Sequence, residues 1–283
     1  MVYILKKYYI KDIQQFKQKK IKFATITAYD YLSAKIINDL DFPLILVGDS
    51  ASMVIYGYDD TTPISMDEML LVLRAVVRGA KTSLVVADMP FLSYQPSIEE
   101  TIKSAGTFIK NGANAVKLEG GGGGACERVR ALVDSGIPVV GHIGLMPQSI
   151  NASSGYSIQG KTERQASKII CEARNLEKSG IFSLVLEGLP ENLAELITKQ
   201  LNVPTIGIGS GKKCDGQIQV FHDVLGFDSS FLPKHAKKYL NGYDAIFQGL
   251  EKYKEDVKKM VFPGKEHSVN LNKKILKKVS ENN

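Results

Sequence analysis

The sequence predicts a parallel α/β protein, most simply a (βα)8 TIM barrel. Short apolar runs rich in β-branched residues recur eight times along the 283 residues, and almost every one is followed by a stretch with helical spacing. Runs such as Leu44–Val47 are continuously apolar, which suits strands buried on both faces, as in a parallel sheet. A doubly wound open sheet is the alternative architecture with the same alternation.

The predicted strands account for most of the chain. In order they are Phe23–Asp30, Leu44–Ser50, Ser83–Pro90, Ala115–Gly120, Pro138–Gly144, Ser183–Pro190, Pro204–Gly211 and Ile218–Asp223. Since α/β barrels of about 250 residues form single domains, one barrel is sufficient for this length. We therefore predict one domain over residues 1–268, with an N-terminal helix and extra C-terminal helices, and a disordered Lys-rich tail over residues 269–283.

The helices between these strands have recognisable ends. They are predicted at Tyr31–Leu40, Ser65–Ala80, Ser97–Gly112, Ala125–Gly136, Glu163–Gly180 and Glu191–Leu201, with the last outer helices within Lys234–Lys259. Ser65 and Ser97 each precede a glutamate by three residues, which is the capping-box spacing of a helix N-terminus. Gly112, Gly136 and Gly180 fall where a helix must end, in the left-handed conformation that glycine tolerates best.

Composition argues against several classes of protein. No apolar run approaches the roughly 20 residues that cross a bilayer, so we expect no membrane partner. Cys126, Cys171 and Cys214 are odd in number and widely spaced; they predict neither a disulfide framework nor a zinc site, and they suit a reducing cytoplasm. The net charge of +6 comes from lysines within Lys6–Lys22 and Lys252–Lys278, a placement typical of solvated faces, so we expect no nucleic-acid partner.

Charged residues interrupt the apolar runs at the carboxyl ends of five consecutive strands. They are Asp49, Asp88, Lys117, Glu119, His142 and Glu187. In a barrel those strand ends face one mouth, where the loops form the active site. Carboxylates converging on one mouth repel one another unless a cation or a raised pKa relieves the repulsion. Oxygen ligands without a Cys or His cluster favour Mg²⁺ as that cation.

Each of these residues also has an alternative interpretation. An aspartate after a strand is more often a turn or helix-capping residue than a ligand. Lys117 and Glu119 share a strand face, which permits an ion pair, a Schiff-base lysine or a carboxylate-binding lysine. His142 suits a structural hydrogen bond as well as a base. Glu187 ends an apolar strand, where desolvation favours a general base, although a pair with a lysine is the alternative.

A longer series of segments follows the pattern of one known family. The matching segments are Thr25–Asp30, Leu46–Ser50, Val77–Ala80, Ala87–Phe91, Gly112–Gly121, Gly141–Ser149, Val185–Glu187, Ile206–Gly211, Asp215–Gln217, His222–Asp223 and Pro263–His267. Read in order over residues 10–268, with nearly unchanged spacing, the chain resembles the ketopantoate hydroxymethyltransferases. It departs from their pattern in the longer glycine run Gly120–Gly124 and in Tyr58, where a histidine is common.

The resemblance implies a barrel of the phosphoenolpyruvate/pyruvate type that transfers a hydroxymethyl group from 5,10-methylenetetrahydrofolate to 3-methyl-2-oxobutanoate. The product would be 2-dehydropantoate, for pantothenate and coenzyme A synthesis. The resemblance also implies a Mg²⁺ cofactor and a homodecamer. Its implied site residues are Asp49, Asp88 and Glu119 around the metal, Asp49, Ser50, Asp88 and Lys117 on the keto acid, and Glu187 as proton acceptor, with His142 as a supporting candidate.

Two other functions are compatible with the residues. The first is a Mg²⁺-dependent carbon–carbon lyase or mutase acting on a 2-oxo acid on the same barrel. Such a lyase is expected to carry a loop cysteine near the mouth, and Cys126 lies just inside a predicted helix after the glycine run. The second is a basic nucleic-acid-binding protein that uses the terminal lysines.

Overall fold

Eight parallel strands form a closed barrel in the computed structural model, which describes residues 6–151 and 157–282. The strands are β1 Phe23–Thr27, β2 Leu44–Val47, β3 Leu84–Asp88, β4 Ala115–Glu119, β5 Val139–Gly144, β6 Ser183–Glu187, β7 Thr205–Ile208 and β8 Gly216–Gln219. Each strand pairs with the next one along the chain, and β8 pairs with β1 through the register Phe23 to Gly216. The predicted barrel is confirmed, and the open sheet is wrong.

Helices follow nearly all the strands, as predicted. They are α1 Ile10–Gln18, α2 Tyr31–Asp39, α3 Ala51–Val54, α4 Met66–Gly79, α5 Ile98–Lys110, α6 Gly123–Asp134, α7 Glu163–Lys178, α8 Glu191–Gln200, α9 Phe221–Leu225, α10 Gly242–Lys258 and α11 Lys273–Glu281, with short 3-10 helices at Pro147–Ser149 and Lys265–His267. The N-terminal helix and the extra C-terminal helices are therefore present. None of the described helices is long and apolar enough to cross a bilayer.

The predicted helix ends are borne out by backbone geometry. The Ser65 hydroxyl accepts from the Glu68 N–H, and Glu68 reaches back to the Ser65 N–H, so this capping box is complete. Ser97 caps α5 through the Glu100 N–H. Gly112, Gly136 and Gly180 all adopt positive φ, at 100°, 78° and 99°.

Strand β8 is the one strand whose predicted position is wrong, since it is predicted at Ile218–Asp223 and lies at Gly216–Gln219. The first seven predicted strands begin within one residue of the observed ones, but β8 ends at Gln219 and the chain then enters α9. The Phe221 N–H donates to the Thr27 hydroxyl at 2.9 Å instead of extending the strand ladder. His222 and Asp223 consequently lie on a helix, although the apolar pattern carries the predicted strand across them.

Two apolar clusters cover the two faces of the barrel wall. Leu84, Val86 and Ala115 belong to the cluster inside the barrel, which the Ile13 side chain of α1 joins. Their neighbours Val85 and Val116 belong to the larger cluster under the helices. Because successive side chains of a strand point to opposite faces, Asp88, Lys117 and Glu119 continue the inward row at the carboxyl ends. The inward rows thus change from apolar to charged along the barrel axis.

The C-terminal tail contains a helix where the sequence analysis predicts disorder. Residues Lys273–Glu281 form α11, and the Asn272 side chain accepts from the Lys274 N–H at 2.9 Å as an N-terminal cap. Ile275, Leu276 and Val279 have helical spacing but none is buried. The prediction of disorder rests only on the lysine-rich composition of this segment and takes no account of its amphipathic spacing. The domain boundary at residue 268 stays a prediction.

Replacing Gly79 by alanine should destabilise the contact between α4 and α2. A Cβ at Gly79 would lie 2.5 Å from the Tyr31 carbonyl oxygen and 2.9 Å from both Ala34 Cβ and the Lys35 nitrogen, which are fixed parts of α2. Because backbone atoms cannot rotate away, we expect G79A to lower the free energy of unfolding by about 1–3 kcal/mol, measured by urea denaturation.

Gly106 of α5 supplies the matched control, because a Cβ there would meet no atom within 4 Å. The same substitution should stabilise the protein by about 0.5–1 kcal/mol, since alanine is the better helix former. Equal stability of G79A and the unaltered protein would contradict the close packing of these two helices.

Candidate active site

The charged residues predicted at the strand ends meet at one mouth of the barrel. Their exposed fractions are 6% for Asp49, 1% for Asp88, 4% for Lys117, 6% for Glu119 and 2% for His142. The Glu187 side chain is 15% exposed and lies beside His142. The structure therefore brings all six residues into a continuous cluster, and Glu187 is the member with the most access to solvent.

Lys117 and Asp88 form the centre of the cluster. Lys117 Nζ lies 2.6 Å from Asp88 Oδ1, and the Asp49 N–H donates to Asp88 Oδ2 at 3.3 Å. Burial raises the pKa of Asp88 to about 7, although Lys117 opposes this shift. Burial alone would lower the pKa of Lys117, but Asp88, Asp49 and Glu119 outweigh it and the pKa is raised. A protonated amine is a poor nucleophile, so this geometry favours a carboxylate-binding Lys117 over a Schiff base.

His142 connects two carboxylates across the mouth. Its Nδ1 lies 3.3 Å from Glu119 Oε1, and its Nε2 lies 3.2 Å from Glu187 Oε2. Burial and the Lys117 charge would lower the pKa of His142, but Glu119 and Glu187 outweigh them and raise it to about 9. The ring is therefore protonated at neutral pH, and its positive charge stabilises both carboxylates. Lys117 Nζ lies 3.3 Å from Nδ1 and repels the protonated ring, and the two carboxylates offset this repulsion.

Gln148 is a site residue that the sequence analysis does not identify. It lies in the 3-10 helix Pro147–Ser149 after β5 and is 3% exposed. Its Nε2 donates to Asp49 Oδ2 at 2.8 Å, and its backbone N–H donates to Glu119 Oε2 at 3.2 Å. Its Oε1 accepts from the Tyr94 hydroxyl at 2.9 Å. One feature of the sequence does point to Gln148: it belongs to the family-matching segment Gly141–Ser149, which also contains His142, and it follows β5 closely.

Ser50 stands at the rim beside a second tyrosine. Its hydroxyl lies 2.7 Å from the Tyr29 hydroxyl, and burial raises the pKa of Tyr29 above its ordinary value, so this phenol stays protonated. Ser50 occupies the N-cap position of α3 but makes no side-chain capping bond. The Asp49 carboxylate accepts from Gln148 instead of capping a helix. The capping interpretation therefore does not explain Asp49, whereas it does explain Asp30 at the start of α2.

Several buried atoms at the mouth have close neighbours but no well-directed hydrogen bond. They are Asp88 Oδ1, Glu119 Oε1 and His142 Nε2. Polar atoms in such a state are expected where a ligand or ion completes their contacts. The cluster is therefore built to receive further polar atoms at the points where the acidic residues converge.

The donor set fits a hard divalent cation that binds together with a substrate. Asp49, Asp88 and Glu119 present carboxylate oxygens from three adjacent strands, the chemistry that Mg²⁺ prefers. Within residues 6–151 and 157–282, no group of three or more His, Cys, Asp or Glu side chains is arranged as a complete cation site. Mg²⁺ usually takes only one or two protein carboxylates and completes its shell with water and substrate oxygens. An incomplete protein site is therefore compatible with that ion.

Several solved enzyme structures have a similar fold. The chain superposes on phosphonopyruvate hydrolase, solved in complex with oxalate and Mg²⁺, with a TM-score of 0.60, 12% identity, and coverage of 96% of this chain and 95% of that one. It superposes on 2,3-dimethylmalate lyase, a member of the PEP mutase/isocitrate lyase superfamily, with a TM-score of 0.57, 13% identity, and coverage of 96% and 98%. At this identity the likeness concerns the barrel alone.

Sequence comparison identifies much nearer relatives. The chain is 50% identical over 258 residues to the 3-methyl-2-oxobutanoate hydroxymethyltransferase of Thermotoga neapolitana, covering 91% of this chain and 95% of that protein. It is 47% identical over 273 residues to the enzyme of the same name from Dehalococcoides mccartyi, covering 96% and 98%. The family model described as ketopantoate hydroxymethyltransferase matches residues 7–265. The resemblance seen in the strand-end motifs is thereby confirmed, and the chain belongs to the ketopantoate hydroxymethyltransferase family.

Proposed function

We propose that the protein transfers a one-carbon unit from 5,10-methylenetetrahydrofolate to 3-methyl-2-oxobutanoate and so makes 2-dehydropantoate for pantothenate and coenzyme A synthesis. The observation that carries the proposal is the cluster at the mouth. A buried cation, Lys117, lies within one continuous cluster with a partly exposed carboxylate, Glu187, and His142 stands between them. A 2-oxo acid needs such a pair, because its carboxylate must be neutralised while a proton leaves its C3 carbon.

We propose that Asp49, Asp88 and Glu119 hold Mg²⁺ at this site. When bound, the ion supplies Lewis-acid stabilisation of the negative charge that develops on the keto oxygen as C3 loses its proton. The three carboxylates lie at the ends of β2, β3 and β4, and Glu119 Oε1 lacks a directed hydrogen bond. A ligand atom at that point would complete its contacts.

Lys117 binds the substrate carboxylate in this proposal. Its burial and its contact with Asp88 keep the ammonium fixed and charged, which suits electrostatic recognition in a low-dielectric site. Asp49 and Ser50 complete the keto-acid subsite from the loop after β2. The Tyr29 hydroxyl holds the Ser50 side chain at 2.7 Å and so orients it at the rim.

Glu187 takes the proton from C3 of the keto acid. It ends β6 at the mouth, and the protonated His142 lies 3.2 Å from its Oε2, which orients the carboxylate and leaves the other oxygen for substrate. The C3 carbon then forms a bond to the methylene carbon of the donor. The carbon–nitrogen bonds of that methylene group break, tetrahydrofolate leaves, and water supplies the hydroxyl group of the product.

The lyase or mutase alternative gains no specific support. Its expected loop cysteine would be Cys126, which lies within α6, with its Sγ 3.5 Å from the Gly121 carbonyl oxygen. Burial raises the pKa of this thiol, and an active cysteine needs the opposite shift. The relatives at 47–50% identity are hydroxymethyltransferases, whereas the lyases and mutases are only 13–16% identical.

The homodecamer and the cytoplasmic location belong to the same proposal. Helix α10 supports self-association, because it exposes large apolar side chains while Gly242 is its only buried residue among those described. The exposed side chains include Tyr243, Ile246, Phe247, Leu250, Tyr253 and Val257. A contiguous apolar surface of this kind usually marks a protein interface.

The activity assay that tests the proposal combines purified protein, 3-methyl-2-oxobutanoate, methylenetetrahydrofolate and Mg²⁺, with detection of 2-dehydropantoate by mass spectrometry. We expect product only when both co-substrate and metal are present, and loss of product after chelation by EDTA. Cleavage of a 2-oxo acid without the folate would instead establish the lyase alternative.

Replacing Glu187 by glutamine should abolish exchange of the C3 hydrogen of 3-methyl-2-oxobutanoate with deuterium in D₂O. An amide cannot accept the proton, and a positioned base contributes about 100- to 10,000-fold, so exchange followed by NMR should slow at least 100-fold. The experiment needs no folate and so isolates the proton-transfer step.

The matched control for this variant is Glu195→Gln on α8, where Glu195 pairs with Lys199 on the surface. Its exchange rate should equal that of the unaltered protein. Exchange at an undiminished rate in E187Q would assign the proton to another base.

Replacing Phe247 and Leu250 of α10 by serine should break the assembly. Both side chains are more than half exposed in the single chain, at 55% and 63%, so these changes remove apolar contact area without opening a cavity in the barrel. Sedimentation should show a decamer for the unaltered protein and smaller species for the variant. A monomeric unaltered protein would contradict the proposed assembly.

A further inference from the structure

The Gln148 side chain makes three hydrogen bonds, and its backbone N–H makes a fourth. All of its side-chain polar atoms are in use: Nε2 donates to Asp49 Oδ2 and to the Met89 carbonyl oxygen, at 2.8 and 2.9 Å, and Oε1 accepts from the Tyr94 hydroxyl. Its backbone N–H is bonded to Glu119 Oε2. One residue from the loop after β5 therefore contacts the residues that follow β2 and β3 and the last residue of β4.

The orientation of the Gln148 amide is fixed by its partners. The Tyr94 hydroxyl accepts from the Glu119 N–H at 3.2 Å, so its own proton is free to go to Gln148 Oε1. The Asp49 carboxylate and the Met89 carbonyl oxygen can only accept, so they face Nε2. A directed chain thus runs from the Glu119 backbone through Tyr94 and Gln148 to the Asp49 carboxylate, and each bond in such a chain polarises the next.

We propose that Gln148 is a positioning residue that sets the rotation of two carboxylates in the cation site. It binds Oδ2 of Asp49 and Oε2 of Glu119, and so turns the second oxygen of each carboxylate toward the ligand. Glu119 Oε1, the oxygen so directed, has His142 Nδ1 beside it at 3.3 Å but is buried without a well-directed hydrogen bond. The inference rests on the proposed function, since it assigns Gln148 to the Mg²⁺ subsite of that reaction.

The burial of both carboxylates supports the same role. Asp49 and Glu119 are each 6% exposed, and each accepts one N–H of Gln148, from the side-chain amide and from the backbone respectively. Buried like charges repel each other, and a hydrogen bond to one oxygen of each carboxylate holds both groups in place against that repulsion. Second-layer groups that orient ligands in this way typically contribute about 10- to 100-fold to metal affinity.

The variant that tests the inference is Gln148→Met. Methionine has nearly the same length and flexibility, keeps the backbone N–H to Glu119, and removes the amide that binds Asp49. We measure binding of Mn²⁺, a paramagnetic probe for the site, by titration calorimetry and by electron paramagnetic resonance, in the presence of 3-methyl-2-oxobutanoate. The expected result is about 10- to 100-fold weaker Mn²⁺ binding, with an unchanged circular dichroism spectrum.

Two further variants make the result specific. Gln200→Met, on the exposed end of α8 where the amide contacts only Arg174 among the described residues, makes the same chemical change away from the mouth and should bind Mn²⁺ as the unaltered protein does. Tyr94→Phe removes the proton donor that orients Gln148 and leaves both carboxylates in place. It should weaken Mn²⁺ binding in the same direction by a smaller factor, and it decides the question if Q148M does not fold.

The outcomes separate the inference from the function on which it rests. Unchanged Mn²⁺ affinity in Q148M and Y94F, with a normal affinity in the unaltered protein, would overturn the positioning role and leave the proposed reaction intact. Failure of the unaltered protein to bind Mn²⁺ would overturn both. Weakened binding in both variants, with Q200M unchanged, supports the role of Gln148.

Discussion

The active-site mouth depends on one electrostatic constraint, the burial of more negative than positive charge at the ends of the strands. Four carboxylates, Asp49, Asp88, Glu119 and Glu187, stand beside two cationic groups, Lys117 and His142, and five of these six residues are at most 6% exposed. Fully ionised, the cluster carries an excess of two negative charges. Burial raises the pKa values of Asp49 and Asp88, and the neighbouring carboxylates Glu119 and Asp49 add to these two shifts respectively. A divalent cation has the charge that would balance it.

The barrel imposes this constraint through the simple alternation of its strands. The inward rows begin with apolar side chains such as Leu84 and Ala115, which fill the interior, and end with Asp88, Lys117 and Glu119. The apolar part excludes water from below, and Ile13 of α1 is fully buried against it. Charges placed above such a floor interact more strongly than they would at a surface, because the local dielectric is low. The same residues that stabilise the fold therefore sharpen the chemistry of the mouth.

Much of this arrangement can be predicted from the sequence, because period-two alternation and strand ends are local features. The six charged residues lie within or shortly after their strands, toward the carboxyl end of the barrel, so the barrel alone brings them together. Gln148 could not be found in this way: its partners Asp49 and Glu119 lie 99 and 29 residues away, and a loop glutamine has no local pattern that separates it from a surface residue. The end of β8 was missed for the same reason, since it depends on the Thr27 hydroxyl from the opposite end of the chain.

Differences in exposure within the cluster agree with the roles proposed for its members. Lys117 and Asp88 are almost completely buried, which suits binding, because a fixed ion pair in a low-dielectric site recognises a carboxylate strongly and needs no exchange with solvent. A proton acceptor has the opposite requirement, since it must reach a substrate carbon and later release the proton. Glu187 is the carboxylate of the cluster with partial exposure, at 15%, and His142 joins it to the buried side. In the proposed reaction, this difference in exposure separates Glu187, the proposed proton acceptor, from Lys117 and Asp88, the proposed binding residues.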